Sequence, residues 1–420
     1  MRYSIIGATT EKVKAVGGLD IKASSNLGII FATLTPSQAT ALKSQGYVVT
    51  LVKRVSAPVT PPVPVEADPR YFPQQLIDLA GLEELRALTR PMLYGKAVNL
   101  AVIDTGIRES HEKIKGHVIY KKNFTSDTMD DGFDHGTGVA SIVLSVAPLC
   151  NILNMKVLDS RGQGTEEEVA MAIDECIALR ISNPRFRPTV INLSLGGEET
   201  GEPDTAIRVA CRRAIDEGIW VVAAAGNNGP SPMTVMSPAC ERYVFAVGSL
   251  SSDTLLVSRF SSRGPTEEGL IKPDLSFMGE DIILASSRSD TATKAGSGTS
   301  FATPFMAGLG LLFQEAMLKY GGVEFVEDLP GPDYPEITEL VPAKDMLDKY
   351  LEEICVKPAG EPLGKDNSYG YGLVWGLNLK SALTALTGVT VWSQLMSGIA
   401  TVFSLAMLCV VTKSMVKSVS

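Results

Sequence analysis

Apolar residues in this chain come in short unbroken runs, not in long amphipathic repeats. Val98 to Ile103, Asn151 to Leu158, Thr189 to Leu195, Ile219 to Ala225 and Tyr243 to Val247 each read as a strand buried on both faces. Helical stretches alternate with them: Glu166 to Arg180, Asp204 to Glu217 and the long, largely apolar Thr299 to Tyr320. Strand–helix alternation predicts an α/β, doubly wound, mostly parallel sheet with helices on both faces. Functional groups in such sheets gather at the carboxyl ends of the strands. Asp104 and Asn227 fall there, each just past an apolar run.

The ends of the chain follow other patterns. Residues 1–55 predict a small α+β unit. Arg2 to Ala8, Leu27 to Leu34 and Tyr47 to Val52 read as strands, and Thr9 to Ala15 as a short helix. A second helix starts at Pro36, with Thr35 as N-cap. Residues 56–73 are proline-rich without apolar period and read as a linker. The main body then spans 74–386, with a polar insertion at about 322–365. No charged residue lies between Lys380 and Lys413, and Val389 to Val411 is apolar all round. Residues 387–412 therefore predict one transmembrane helix, in preference to a helix buried against the body, and 413–420 a short basic tail. Lys413 and Lys417 favour a cytoplasmic tail, whereas Met1 to Gly7 lack the apolar core of a signal peptide, so the side of the body stays open.

Charge adds one distinction. The net charge of −9 argues against a nucleic-acid partner. Residues 1–55 carry +5 and the remainder −14, so the head and the body are electrostatically complementary. Six scattered cysteines without a Cys-x-x-Cys spacing favour free thiols over a disulfide frame or a zinc site.

Candidate chemistry sits on three glycine-punctuated segments: Val102-Ile103-Asp104-Thr105-Gly106, Asp134-His135-Gly136-Thr137-Gly138-Val139-Ala140-Ser141 and Gly298-Thr299-Ser300-Phe301-Ala302-Thr303-Pro304. They supply a carboxylate, an imidazole and a hydroxyl. A serine attacks an amide only with a base to take its proton, and the base needs a partner to fix its tautomer. With three histidines in 420 residues, the alternatives are few. His111 follows Asp104 by seven residues and His117 lies in no motif. A second Asp-Thr-Gly, which an aspartic protease would need, does not occur.

In order and context these segments resemble the subtilisin-like serine proteases (subtilases), from about Leu93 to about Leu386. The resemblance implies Asp104, His135 and Ser300 as a catalytic triad. His111 matches the family's structural histidine, and His135 argues against the related sedolisins, which use glutamate. Val221 to Gly229 resembles the family's oxyanion segment and implies Asn227 as a donor beside the Ser300 backbone N–H. Substrate-binding walls are implied at Ser194, Leu195 and Gly196, at Ala224, Ala225 and Gly226, and at Gly162 and Gly164. Met236 falls where the primary pocket is closed and many relatives are small, which implies medium apolar side chains before the scissile bond.

Two departures stand out. Gly138 replaces a second family histidine. Lys113 stands where a calcium-binding acid is expected, and the loop of that site is missing, so no metal and no cofactor are expected; the acidic loop Asp127 to Asp134 leaves a different site open but unsupported. The head is similar to the family's inhibitory prodomains, implying a zymogen whose own prodomain acts as an intramolecular inhibitor. Tyr369-Gly370-Tyr371-Gly372-Leu373 resembles the segment closing such domains. The expected partners are thus a peptide or protein substrate, the prodomain and a membrane. A non-catalytic membrane scaffold on the same fold, or a maturation peptidase dedicated to one partner, are the rival functions.

Overall fold

The computed structural model describes residues 1–57, 71–81, 93–320, 351–352 and 354–374. Most of the linker, most of the insertion and the whole candidate membrane segment 387–412 lie outside the described residues.

The head contains β1 (Arg2–Ile6), α1 (Thr10–Ala15), β2 (Leu19–Ala23), β3 (Ile29–Thr33), α2 (Pro36–Ser44) and β4 (Val48–Leu51). Its sheet has the order β2-β3-β1-β4, with antiparallel pairing throughout. Thr35 caps α2 in a full capping box with Gln38, and Pro36 opens the helix. β3 is buried on both faces. Ile30 and Ala32 join the head's own core, whereas Ile29 and Phe31 join a core shared with the body. That division fastens the head to the body by ordinary apolar burial.

The body follows as β5 (Arg54–Ser56), α3 (Pro73–Leu79), β6 (Asn99–Asp104), β7 (Val118–Asn123), α4 (Gly136–Val146), β8 (Asn151–Lys156), β9 (Gln163–Thr165) and α5 (Glu166–Ser182). It continues with β10 (Val190–Leu193), α6 (Ala206–Asp216), β11 (Trp220–Ala224), β12 (Phe245–Leu250), β13 (Leu275–Met278), β14 (Ile282–Ala285), β15 (Thr293–Gly296) and α7 (Thr299–Tyr320). A small hairpin, β16 (Cys355–Val356) and β17 (Leu373–Val374), closes it.

Seven strands form one parallel sheet in the order β13-β12-β11-β10-β6-β8-β7. Alternate residues divide between two cores. Leu100, Val102, Val190, Val222 and Val247 face one, and Ala101, Ile103, Ile191, Val221 and Ala246 the other. Both faces are covered, as the unbroken apolar runs require. From β6 the chain builds outward to β8 and β7 on one side, and from β10 to β13 on the other. The switch point between β6 and β10 therefore opens a crevice at the carboxyl edge.

The structure corrects several expectations. Ser56 and Ala57 are not linker, since β5 pairs with β9 and Ser56 bridges Gly196. Pro73 is the first residue of α3, which buries Leu76 and Ile77 in the body. The insertion boundary is also too generous. Ile354 is buried and β16 pairs with β17, so residues from 354 onward belong to the closing hairpin. β2, β5, β7 and β13 to β17 had no clear strand signal in the sequence. Among the described residues no helix is long and apolar enough to cross a membrane.

Candidate active site

Asp104 is the last residue of β6 and 1% exposed. Its Oδ1 accepts the Thr105 backbone N–H at 2.7 Å and His135 Nδ1 at 2.8 Å. A carboxylate only accepts, so the proton sits on Nδ1 and Nε2 carries the free lone pair. Nε2 is buried and has no partner. His135 occupies the N-cap position of α4, yet its side chain makes no cap bond. The imidazole is committed to Asp104 instead, and its ring lies 5.4 Å from that of Phe301.

The two turns carrying Asp104 and His135 meet at backbone distance. A Cβ at position 136 would lie 2.3 Å from the Gly106 carbonyl oxygen, so only glycine permits the approach. At position 138 a Cβ would lie 2.2 Å from Leu284 Cδ1. Leu284 fills the space that a second histidine would need.

Ser300 is the second residue of α7, where the helix dipole presents its positive end. Its Oγ donates to the Ser194 carbonyl at 3.2 Å, and Ser194 Oγ donates to the Ser300 carbonyl at 2.8 Å. Ser300 Oγ is therefore engaged by Ser194 and not by His135, whose ring contact is with the adjacent Phe301. Asn227 is oriented by Thr299, whose N–H and hydroxyl both donate to Asn227 Oδ1 at 3.0 and 2.9 Å. Its Nδ2 is left buried and unpartnered. A basic nitrogen and an amide donor thus adjoin Phe301 and Thr299, the two neighbours of Ser300 in sequence, and with its hydroxyl they are the kinds of group that acyl transfer requires.

Ser194, Leu195 and Gly196 form one edge of the crevice, and Gly162 to Gly164 the other. The Leu195, Ala224 and Ala225 side chains are buried in the body, so these positions offer backbone only. The chain's own residues 54–57 lie between the edges. Ser56 and Gly196 exchange both backbone hydrogen bonds, at 2.9 and 3.0 Å. Val55 pairs with Gly164, and the Ala57 N–H donates to the Gly162 carbonyl at 3.1 Å. Gly162 has φ +71° and lies against the Phe133 ring, which leaves no room for a side chain.

Met236 packs between the walls. Its Cγ lies 2.6 Å from where a Gly226 Cβ would be, and its Cβ 3.1 Å from that of Gly196. A cavity of about 560 Å³ beside it is lined by Arg54 to Ser56, Gly196 to Glu199, Met233 to Met236 and Glu267, among others. Glu199 sits on that rim, and burial raises its pKa.

The other histidines lie elsewhere. His111 is fully buried, with Nε2 donating to the Ala292 carbonyl at 2.9 Å and Nδ1 accepting the Lys113 N–H. Its ring is committed to structure. His117 bonds the Cys150 carbonyl. Cys150, Cys176, Cys211, Cys240 and Cys355 are free thiols, the first four buried. Three site features escaped the sequence: the strand occupying the crevice, Asp131, and fully buried Lys156, whose Nζ donates to the Thr105 and Asp130 carbonyls. A carboxylate four residues before His135 was the sole hint of the second.

Comparison with known proteins places the chain in a family. A family model described as the Subtilase family matches residues 95–372. Serine protease AprX of Bacillus subtilis (strain 168) is 34% identical over 296 residues, 62% of this chain and 63% of that protein. Proteinase T of Parengyodontium album is 35% identical over 218 residues, 50% of this chain and 69% of the relative. Subtilisin-like protease 1 of Arthroderma otae is 32% identical over 221 residues, 51% of this chain and 43% of the relative. The chain thus spans less than two thirds of the length of the Bacillus and Arthroderma proteins.

Proposed function

Because the chain belongs to the subtilase family, we propose that it is a serine endopeptidase working through Asp104, His135 and Ser300. One observation supports this reading above the rest. His135 Nε2 and Asn227 Nδ2 are both buried without partners, the first on a ring packed against Phe301 and the second on a side chain bonded to Thr299, the residues after and before Ser300. A buried polar atom left unpaired costs about 1–3 kcal/mol, which a reacting substrate would offset. In the proposed reaction an extended peptide adds to the Gly196 edge, and its N–H takes over the Ser194 carbonyl. That exchange releases Ser300 Oγ to His135. The imidazole takes the hydroxyl proton as Oγ attacks the scissile carbonyl, and Asp104 stabilises the resulting imidazolium. Asn227 Nδ2 and the Ser300 N–H donate to the oxyanion. His135 then protonates the leaving amine, and water hydrolyses the acyl-enzyme by the reverse proton path.

We propose further that residues 1–57 are an inhibitory prodomain, because residues 54–57 occupy the crevice as an added strand. The candidate segment 387–412 would tether the enzyme to a membrane. Met236 would restrict the primary pocket to medium apolar side chains.

Labelling with a serine-directed phosphonate tests the central reading. The parent chain is expected to be labelled and Ser300→Ala not at all. In Asn227→Ala, peptide hydrolysis is expected to fall about 10²–10³-fold in kcat. A parent chain that is neither labelled nor active, even with its head displaced, would leave the non-catalytic scaffold as the better account.

A further inference from the structure

A histidine at the N-cap of a helix creates a local problem. The first turn of α4 has backbone N–H groups that need acceptors, and the His135 side chain supplies none. Asp131, in the loop between β7 and α4 and 6% exposed, supplies them. Its Oδ1 accepts the N–H of Asp134 at 2.9 Å, the N–H of His135 at 3.2 Å and the Thr105 hydroxyl at 2.7 Å. Its Oδ2 accepts the Thr137 N–H at 2.9 Å and the Thr137 hydroxyl at 2.6 Å. The Thr105 hydroxyl also accepts the Gly136 N–H at 2.9 Å. One carboxylate and one hydroxyl thus fasten the turn after Asp104 to the backbone on both sides of the imidazole.

The surroundings reinforce the link. Lys156 ties the Thr105 carbonyl to the Asp130 carbonyl from below. Burial lowers the Lys156 pKa, against the raising charges of Asp131, Asp127, Asp104 and Asp159. Asp134 adopts φ +66°, a left-handed conformation, with its N–H on Asp131 and its carboxylate on Ser286 and Ser287.

We propose that Asp131 and the Thr105 hydroxyl are positioning residues that hold His135 Nδ1 against Asp104, a role that rests on the peptidase reading above. Neither group touches substrate. Asp131 relieves the imidazole of capping, and Thr105 fixes the separation of the two turns.

The test uses the full chain and compares Thr105→Val, Thr105→Ser and Asp131→Asn with the parent. Three readouts apply: kcat and KM on one peptide, the pH profile of kcat/KM, and the low-field proton resonance of the His135–Asp104 hydrogen bond in water. Removing one hydrogen bond to a charged acceptor should lower kcat about tenfold to a hundredfold in Thr105→Val, with little change in KM. The acid limb of the profile and the resonance should move with it, and Thr105→Ser should restore all three. Asp131→Asn should shift them in the same direction, because an amide NH₂ cannot accept from Thr137. If valine and serine behave alike at position 105, or if folded Thr105→Val leaves the resonance and the profile unmoved, the proposal is wrong. If Asp131→Asn does not fold, the Thr105 pair decides alone. A resonance that responds in a chain without any peptidase activity would instead overturn the peptidase reading and leave the positioning role standing.

Discussion

The proposed role of Met236 in the primary pocket rests on where its side chain packs. It stands between Gly196 and Gly226, two positions whose missing Cβ atoms leave room for it. Replacing it with glycine should open the pocket. In Met236→Gly, kcat/KM for peptides with Phe before the scissile bond should rise tenfold or more relative to Ala, on the scale of about 1–3 kcal/mol per hydrophobic group in a pocket. Paired peptide kinetics on variant and parent check this, and an unchanged ratio would remove Met236 from the pocket. Residue types at Asp104, His135, Asn227 and Ser300 were legible in the sequence because each stands on a glycine-marked turn beside a buried run. Asp131 and Lys156 were not, because their work is done through backbone groups brought near only by folding.

At the scale of elements, the parallel strands were readable where both faces are buried, as in Val190–Leu193 and Trp220–Ala224. The misses have physical causes. β2 is mostly exposed and lacks an apolar period. β5 has three residues, and its pairing with β9 joins positions more than a hundred apart, which local pattern cannot reveal. The junction of head and body follows similar logic. Arg2 meets Glu167 through two hydrogen bonds, at 2.5 and 2.7 Å, while the Asp174 carboxylate accepts the Ser25 and Asn26 N–H groups at 2.9 and 2.7 Å. Charge complementarity between head and body therefore resolves into a few ion pairs, Arg2 and Lys22 on Glu167 of α5 and Lys53 on Glu202. Arg2→Ala combined with Asp174→Ala should loosen the head by about 2 kcal/mol, or roughly thirtyfold in the docking equilibrium. If residues 1–57 inhibit, the initial rate of peptide hydrolysis should rise accordingly, with phosphonate labelling at completion unchanged. An unaltered rate would assign the head a purely structural role.

For the whole molecule, the two cores and the continuous sheet of the body make a rigid frame, with the proposed catalytic groups drawn from both sides of one switch point. Asp104 and His135 come from the β6 side, and Asn227 and Ser300 from segments packed beyond β10. The proposed tether would act at this scale, restricting the enzyme to substrates near a bilayer. After alkaline carbonate washing, the full chain is expected in the membrane pellet and a chain ending at residue 386 in the supernatant. Release of both would exclude the anchor.

A strand already seated in the crevice changes what any outside molecule must achieve. Being covalently attached, it acts as a competitor at a local concentration on the order of millimolar, undiluted when the protein is diluted. If the strand itself binds the crevice with an intrinsic affinity on the order of micromolar, any soluble inhibitor would look about a thousandfold weaker on the intact chain than on one whose head has been loosened. Ligand screens run on the intact chain would select for compounds that avoid the crevice altogether.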